Sequence, residues 1–190
     1  MNYPNCYDEA MPALRADAAR SRARIIEAAR ALAPAEIRLN DLARDTGLGV
    51  GTVYRHFPTV TALLEAINLD AMNELVEIAR GAADSESPGS AFTDLVKRGA
   101  EMQISRDGLQ TVLLAEDVSP EFRALRENLL RSTAVALQAA IEEGRIRPEI
   151  TIGHVQRLVC GMEHAVRLGD GRDRTLLIDV MIAGLRPQAA

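Results

Sequence analysis

The sequence has no tryptophan, and only three phenylalanines and three tyrosines in 190 residues. An aromatic fraction of 3% excludes an aromatic cage or a platform on which single-stranded bases could stack. Cysteine is scarcer. Cys6 and Cys160 stand far apart and make no disulfide framework, so both are expected as free thiols in a reducing compartment. Lysine is scarcest, with Lys97 alone. No apolar run approaches the roughly 18 residues that a membrane-spanning helix requires. Residues 1–9 have neither the basic start nor the apolar core of a secretory signal, so a cytoplasmic location is expected. There is no nucleophile elbow, no phosphate loop and no paired-carboxylate arrangement, and the three histidines are scattered. The chain is therefore not expected to be an enzyme.

What is present is ample apolar material. A composition of 47% hydrophobic and 26% charged residues is that of a globular chain with a real core. The net charge of −5 is spread unevenly. Residues 14–57 hold eight arginines against five carboxylates, a balance of +3, while the remainder carries 14 basic and 22 acidic residues, a balance of −8. A basic head on an acidic body is the electrostatic footprint of a segment that faces DNA.

Apolar residues recur at helical spacing along almost the whole chain, and no stretch alternates as a strand does. The fold class is all-α. Residues 1–13 read as a flexible tail, 14–58 as a DNA-binding domain, and 59–190 as a helical regulatory and dimerisation domain. A helix is expected over about 16–33, stopped by Pro34. A short one follows over 40–46, with Asn40 as N-cap and Gly47 as a left-handed cap. Another covers 51–57, stopped by Pro58. Further helices are expected over about 59–82, 88–104, 107–115, 120–144, 151–168 and 172–185. Ser119 and Pro120 open the long one.

Residues 39–57 carry the chemistry. They read Leu-Asn-Asp-Leu-Ala-Arg-Asp-Thr-Gly-Leu-Gly-Val-Gly-Thr-Val-Tyr-Arg-His-Phe. Two short helices joined by a glycine-bearing turn are what a helix-turn-helix requires. Leu42, Ala43, Leu48, Val53 and Phe57 are spaced to form its small core, and Ala43 lets the two helices approach. Thr52, Tyr54, Arg55 and His56 then fall on the outward side of the second helix, which would enter a major groove. Thr52, Tyr54 and His56 can donate to phosphate oxygens, and Arg55 suits a guanine edge or a phosphate. Gly49 and Gly51, on either side of Val50, remove side chains at the start of that helix, where backbone N–H groups favour an anion, and Val50 is counted in the same DNA-binding set. Arg38, Asn40 and Arg44 complete the expected DNA-binding set.

The run Thr46-Gly47-Leu48-Gly49-Val50-Gly51-Thr52-Val53-Tyr54-Arg55-His56-Phe57-Pro58 resembles the signature of the TetR family of transcriptional regulators. The similarity extends from about Ser21 through Ile67, and the closing Gly184-Leu185-Arg186-Pro187 resembles one branch of the family. The resemblance implies a homodimer of all-helical subunits, each with a three-helix head on a six-helix body. It implies a repressor released from a palindromic operator in double-stranded DNA by a small-molecule effector. The alternative is an effector-independent DNA-binding protein whose body serves only to dimerise. One departure stands out. The family usually has a basic, phosphate-contacting residue two positions beyond the Phe-Pro proline, and this chain has Val60, followed by Thr61 where an acidic residue is common.

For the body, Phe92, Met102, Leu113, Glu116, Phe122 and Leu129 are expected to line an effector pocket. Glu101, Glu116 and Asp117 are the groups that could orient a cationic ligand. Val155, Val159, Met162, Val166, Leu177, Val180, Met181 and Gly184 are expected at the dimer interface. His154, Cys160 and His164 fall short of a metal site, because two or three ligands lack a second cluster. No metal and no cofactor are expected.

Overall fold

The computed structural model describes residues 6–187, with side chains from Arg15 onward. Among the described residues there are nine α-helices and no strand. They are α1 (Cys6–Arg30), α2 (Leu39–Thr46), α3 (Val50–His56), α4 (Val60–Ala83), α5 (Pro88–Ser105), α6 (Leu109–Leu114), α7 (Pro120–Glu142), α8 (Ile152–Arg167) and α9 (Arg174–Leu185). The chain divides into two compact units, one reaching Ile67 and the other starting at Asn68. The division falls inside α4 rather than at Pro58.

Several helix boundaries differ from those expected by a residue or more, and three of them have a clear physical cause. Helix α1 starts at Cys6, so only residues 1–5 of the supposed tail lie outside the described residues. It ends at Arg30, because Ala33 is held extended at ψ 143° ahead of Pro34, as proline demands of its predecessor. Pro34 then opens a 3-10 turn, Pro34–Glu36. Asn40 is not the N-cap of α2. Leu39 is buried, together with Leu42, Ala43 and Thr46, and this one-sided stripe draws the helix start back so that Arg38 occupies the cap.

In the first unit, α1, α2 and α3 pack on one another. Ile25, Ala29, Leu42, Ala43, Val53 and Phe57 are buried in this small core, while Leu48 is only half-buried.

In the second unit α5 packs against α7, α8 and α9. Phe92, Leu95, Val96 and Ala100 of α5 meet Leu137 and Ala140 of α7, Val155 and Val159 of α8, and Ile178 and Leu185 of α9. Fully burying each large side chain is worth about 1.5–3 kcal/mol. Helix starts in this unit are fixed by specific caps. Ser119 accepts from the Phe122 N–H at 3.2 Å, with Pro120 in the first turn. Thr151 and His154 form a reciprocal capping box at the start of α8. Gly89 is required where it stands. Its N–H donates to Glu143 Oε2 at 2.6 Å, and a Cβ there would lie 2.3 Å from Arg145 Cγ. The Glu143 carboxylate thus sits at the positive end of α5.

Candidate nucleic-acid interface and body cavity

The turn between α2 and α3 is built by backbone chemistry. Gly47 adopts φ +63°, a left-handed conformation that costs an L side chain about 1–2 kcal/mol. The Leu48 N–H donates to the Ala43 carbonyl at 2.9 Å and the Gly47 N–H to that of Arg44 at 3.1 Å. This Schellman pair satisfies two otherwise orphaned carbonyls and reverses the chain. The buried Thr46 hydroxyl donates back to the Leu42 carbonyl. From the first helix, Arg24 donates to the Thr46 carbonyl, tying α1 to the end of α2. The Arg22 guanidinium lies 5.2 Å from the Phe57 ring centroid, and so touches the residue that ends α3.

Helix α3 is thereby held by its inner face. Val53 is fully buried and Phe57 nearly so. The opposite face carries Val50, Gly51, Tyr54 and Arg55, all exposed, flanked by half-buried Thr52 and His56. Tyr54 is 43% exposed, which removes it from the core. Arg55 has no ion-pair or hydrogen-bond partner among the described residues, so its five donors are free for an external acceptor. No side chain caps α3 at Gly49.

The other basic residues of the head differ from Arg55. Arg44 is exposed but sits 3.0 Å from Asp41 and 3.6 Å from Asp45, so its charge is partly neutralised within its own helix. Arg38 spends Nη1 on the carbonyls of Ala35 and Ile37. Asn40 is exposed in the first turn of α2. Arg22 and Arg24 hold the head together, which net charge alone does not reveal. Val60 is the first residue of α4, half-buried, beside Thr59, whose Oγ1 accepts from the Ala62 N–H at 3.0 Å.

The second unit holds a cavity of about 100 Å³ that is open on one side. Of the residues named for a pocket, Leu113 and Leu129 line it, and Phe92, Met102, Glu116 and Phe122 do not. Phe92 and Phe122 are fully packed core, and Glu101, Glu116 and Asp117 are exposed at the surface. Val155 and Val159, expected at a subunit interface, line the cavity instead, together with Arg126 and the polar side chains of Gln103, Thr133 and Cys160. A helical stripe looks alike in sequence whether it faces a core, a cavity or another chain, and so sequence alone does not make this division. One cavity wall comes from α6, whose entry is clamped. Asn68 Nδ2 donates to the Asp107 carbonyl at 3.2 Å, and Arg167 Nη2 to Asp107 Oδ1 at 2.7 Å. Asp107 and Glu163 together hold the Arg167 guanidinium still more firmly protonated than usual. Burial, and then the Glu163 charge, push the Cys160 thiol up from its ordinary value.

Helices α8 and α9 show two faces. Val155, Val159, Val166 and Met181 point into their own unit and are buried. Leu158, Gly161, Ala165 and Leu168 follow one another at three- and four-residue spacing on the outer side of α8. On α9, Leu176 and Val180 are 62% and 61% exposed, and Gly184 is exposed as well. Of the eight residues expected at an interface, Val180 and Gly184 are thus exposed, Met162 and Leu177 half-buried. His154 accepts from the Thr151 N–H through Nδ1. No cluster of three or more potential metal ligands occurs among the described residues.

Residues 87–187 match the family model described as "Transcriptional regulator SbtR-like, C-terminal domain" of the TetR regulators. The TetR transcription regulatory protein of Mycobacterium vanbaalenii is 30% identical over 92% of this chain and 99% of its own, with a TM-score of 0.47. The TetR regulator SCO0520 of Streptomyces coelicolor is 27% identical over 88% of this chain and 99% of its own, with a TM-score of 0.52. The TetR-family regulator PfmR of Thermus thermophilus shares the fold, at 22% identity, 90% and 96% coverage and a TM-score of 0.60. No functionally curated protein matches the sequence. The helix-turn-helix head and helical body define a DNA-binding transcriptional regulator. The chain belongs to the TetR family.

Proposed function

We propose that the protein is a homodimeric, ligand-responsive repressor that leaves a palindromic operator when a small molecule fills the body cavity. It acts in the cytoplasm, on double-stranded DNA. The observation that carries this reading is the outward face of α3, where Tyr54 and an unpaired Arg55 are presented by a helix whose other face is locked in the core. In this reading Thr52, Tyr54 and His56 hold phosphates and set register, and Arg55 reaches a base edge or a phosphate. Gly49 and Gly51 let the start of the helix, with Val50, come close to the DNA backbone, and Arg38, Asn40 and Arg44 flank the groove from α2 and its cap.

A second copy of the chain covers the apolar outer stripes of α8 and α9. Leu158, Leu168, Leu176 and Val180 are too exposed for a monomer surface that also carries Gly161, Ala165 and Gly184, which allow close helix approach. A two-fold axis through these helices matches the symmetry of a palindromic site. An effector-independent role would suit a closed body, whereas this body holds a cavity. The test is a mobility-shift titration of the full chain against DNA from upstream of its own gene, with small molecules added to the preformed complex. A shifted band that is competed by its own sequence, and released by a cavity-filling compound, supports the reading. Binding that no such compound weakens would return the protein to the effector-independent role.

A further inference from the structure

By sequence, Glu101, Glu116 and Asp117 are the groups that could orient a cationic ligand, and the effector's identity stays open. The cavity has the opposite equipment. No carboxylate lines it, and its only charged lining residue is Arg126. Arg126 Nη1 donates to the carbonyls of Leu113 and Ala115, at 3.3 and 2.6 Å, which pins the guanidinium at the cavity wall. Its remaining donors have no partner among the described residues. Gln103 also lines the cavity, and its Oε1 is fully buried with no hydrogen-bond partner. A buried acceptor left unmade costs about 1–3 kcal/mol, so its retention beside an otherwise apolar space points to a donor supplied from outside the chain. Thr133 Oγ1 gives its proton to the Leu129 carbonyl at 2.7 Å and can only accept from a ligand while that bond stands. The Cys160 thiol contributes no negative charge, because burial keeps it protonated. Apart from Gln156 at the mouth, the rest of the wall, including Leu95, Val96, Leu113, Leu129, Val155 and Val159, is apolar.

We infer that the effector is a small apolar molecule with a hydroxyl head, uncharged at neutral pH, and never a cation. The hydroxyl donates to Gln103 Oε1 and its oxygen accepts from Arg126 or its neighbours, while the hydrocarbon part fills the aliphatic wall. A cavity of about 150 Å³ lined by such residues holds benzene, so the present one, at about 100 Å³ and open on one side, takes about four non-hydrogen atoms, and a ring extends from it into the mouth. The mouth lies beside Leu114 and Gln156, which line the space and are also exposed. This inference rests on reading the body as an effector-binding unit.

Three probes of one ring size and different heads test it on the full chain: phenol, toluene and benzylammonium, by titration calorimetry at pH 7. Phenol is expected to bind at least tenfold more tightly than toluene, and benzylammonium not at all in the same range. Gln103→Met keeps the length of the side chain and removes the acceptor. It is expected to weaken phenol about tenfold while leaving toluene unchanged or tighter. Benzylammonium matching phenol, phenol matching toluene, or no probe binding would overturn the inference, as would unchanged phenol affinity in a folded Gln103→Met. The probe series on the native chain decides the matter even where that variant fails to fold. Operator binding measured in the same samples separates the two readings. A native chain that shifts its operator and is released by benzylammonium keeps the effector role and loses the hydroxyl class.

Discussion

Replacing Val60 with lysine places a cation at the first residue of α4, two positions beyond Pro58, at a half-buried site from which a long stem can reach solvent. Two effects of opposite sign follow, in two different assays. The free protein loses about 0.3–1 kcal/mol, because a positive charge at a helix N-terminus opposes the helix dipole. In the proposed dimer, operator binding gains one phosphate contact per subunit, two in all. Each neutralised phosphate steepens the plot of log K against log salt by about 0.9, so the slope grows by about 1.8. Raising salt from about 50 to about 200 mM then removes about twelvefold of the variant's advantage, which falls from about a hundredfold to about tenfold. Fluorescence anisotropy with labelled operator at four salt concentrations reads the slope, and Val60→Met is the uncharged control. Parallel salt plots for the native chain and Val60→Lys would refute the reasoning, since they would mean that position 60 does not face a phosphate.

Other outcomes follow from the same geometry. Gly47→Ala forces a left-handed φ on an L residue although its Cβ would meet only Arg24 Nη2, at an ordinary 3.9 Å, so thermal denaturation should show a loss of about 1–2 kcal/mol; an unchanged Tm would mean the turn tolerates another conformation. Leu176→Glu combined with Val180→Glu should give a folded monomer by sedimentation velocity, with operator affinity reduced at least tenfold, and a dimer that persists would place the interface elsewhere. Leu42→Ala empties a fully buried site between the helices of the head and should cost about 2–5 kcal/mol by chemical denaturation. Because the folded Cys160 pKa is raised, the thiol remains protonated at pH 7.5, and alkylation of its peptide by iodoacetamide should be much slower than that of free cysteine. The stability that this protonated thiol contributes is present below the unfolded thiol value and lost as pH rises through the raised folded value.

Much of the head was legible because its signals are local. Gly47 had to be left-handed to reverse the chain, and Pro58 had to follow a helix end; φ +63° and the end of α3 at His56 agree. Ser119-Pro120 opened α7 for the same kind of reason. Asn40 misled because capping preference is weak against burial, and Leu39 had to be inside. In the body the sequence named apolar residues without saying which way they faced. Helix α8 is apolar on two sides, so Val155 and Val159 resembled an interface although Leu158 and Leu168 are the exposed ones. Gln103 and Arg126 gave no signal at all. A polar residue that turns into a cavity has the same spacing as one that faces water, and only the tertiary packing separates them. Arg22 and Arg24 add to the DNA-facing charge by sequence, yet a ring and a carbonyl engage them.

The central claim is that α3 reads DNA through Tyr54 and Arg55, and one measurement addresses it most directly. Native protein and the double variant Tyr54→Ala, Arg55→Ala should be titrated against the upstream DNA at fixed salt, with circular dichroism recorded on both. Both side chains are exposed, so the fold and Tm are expected to change little, with operator affinity falling at least a hundredfold. Undiminished operator binding by the folded double variant would contradict the account.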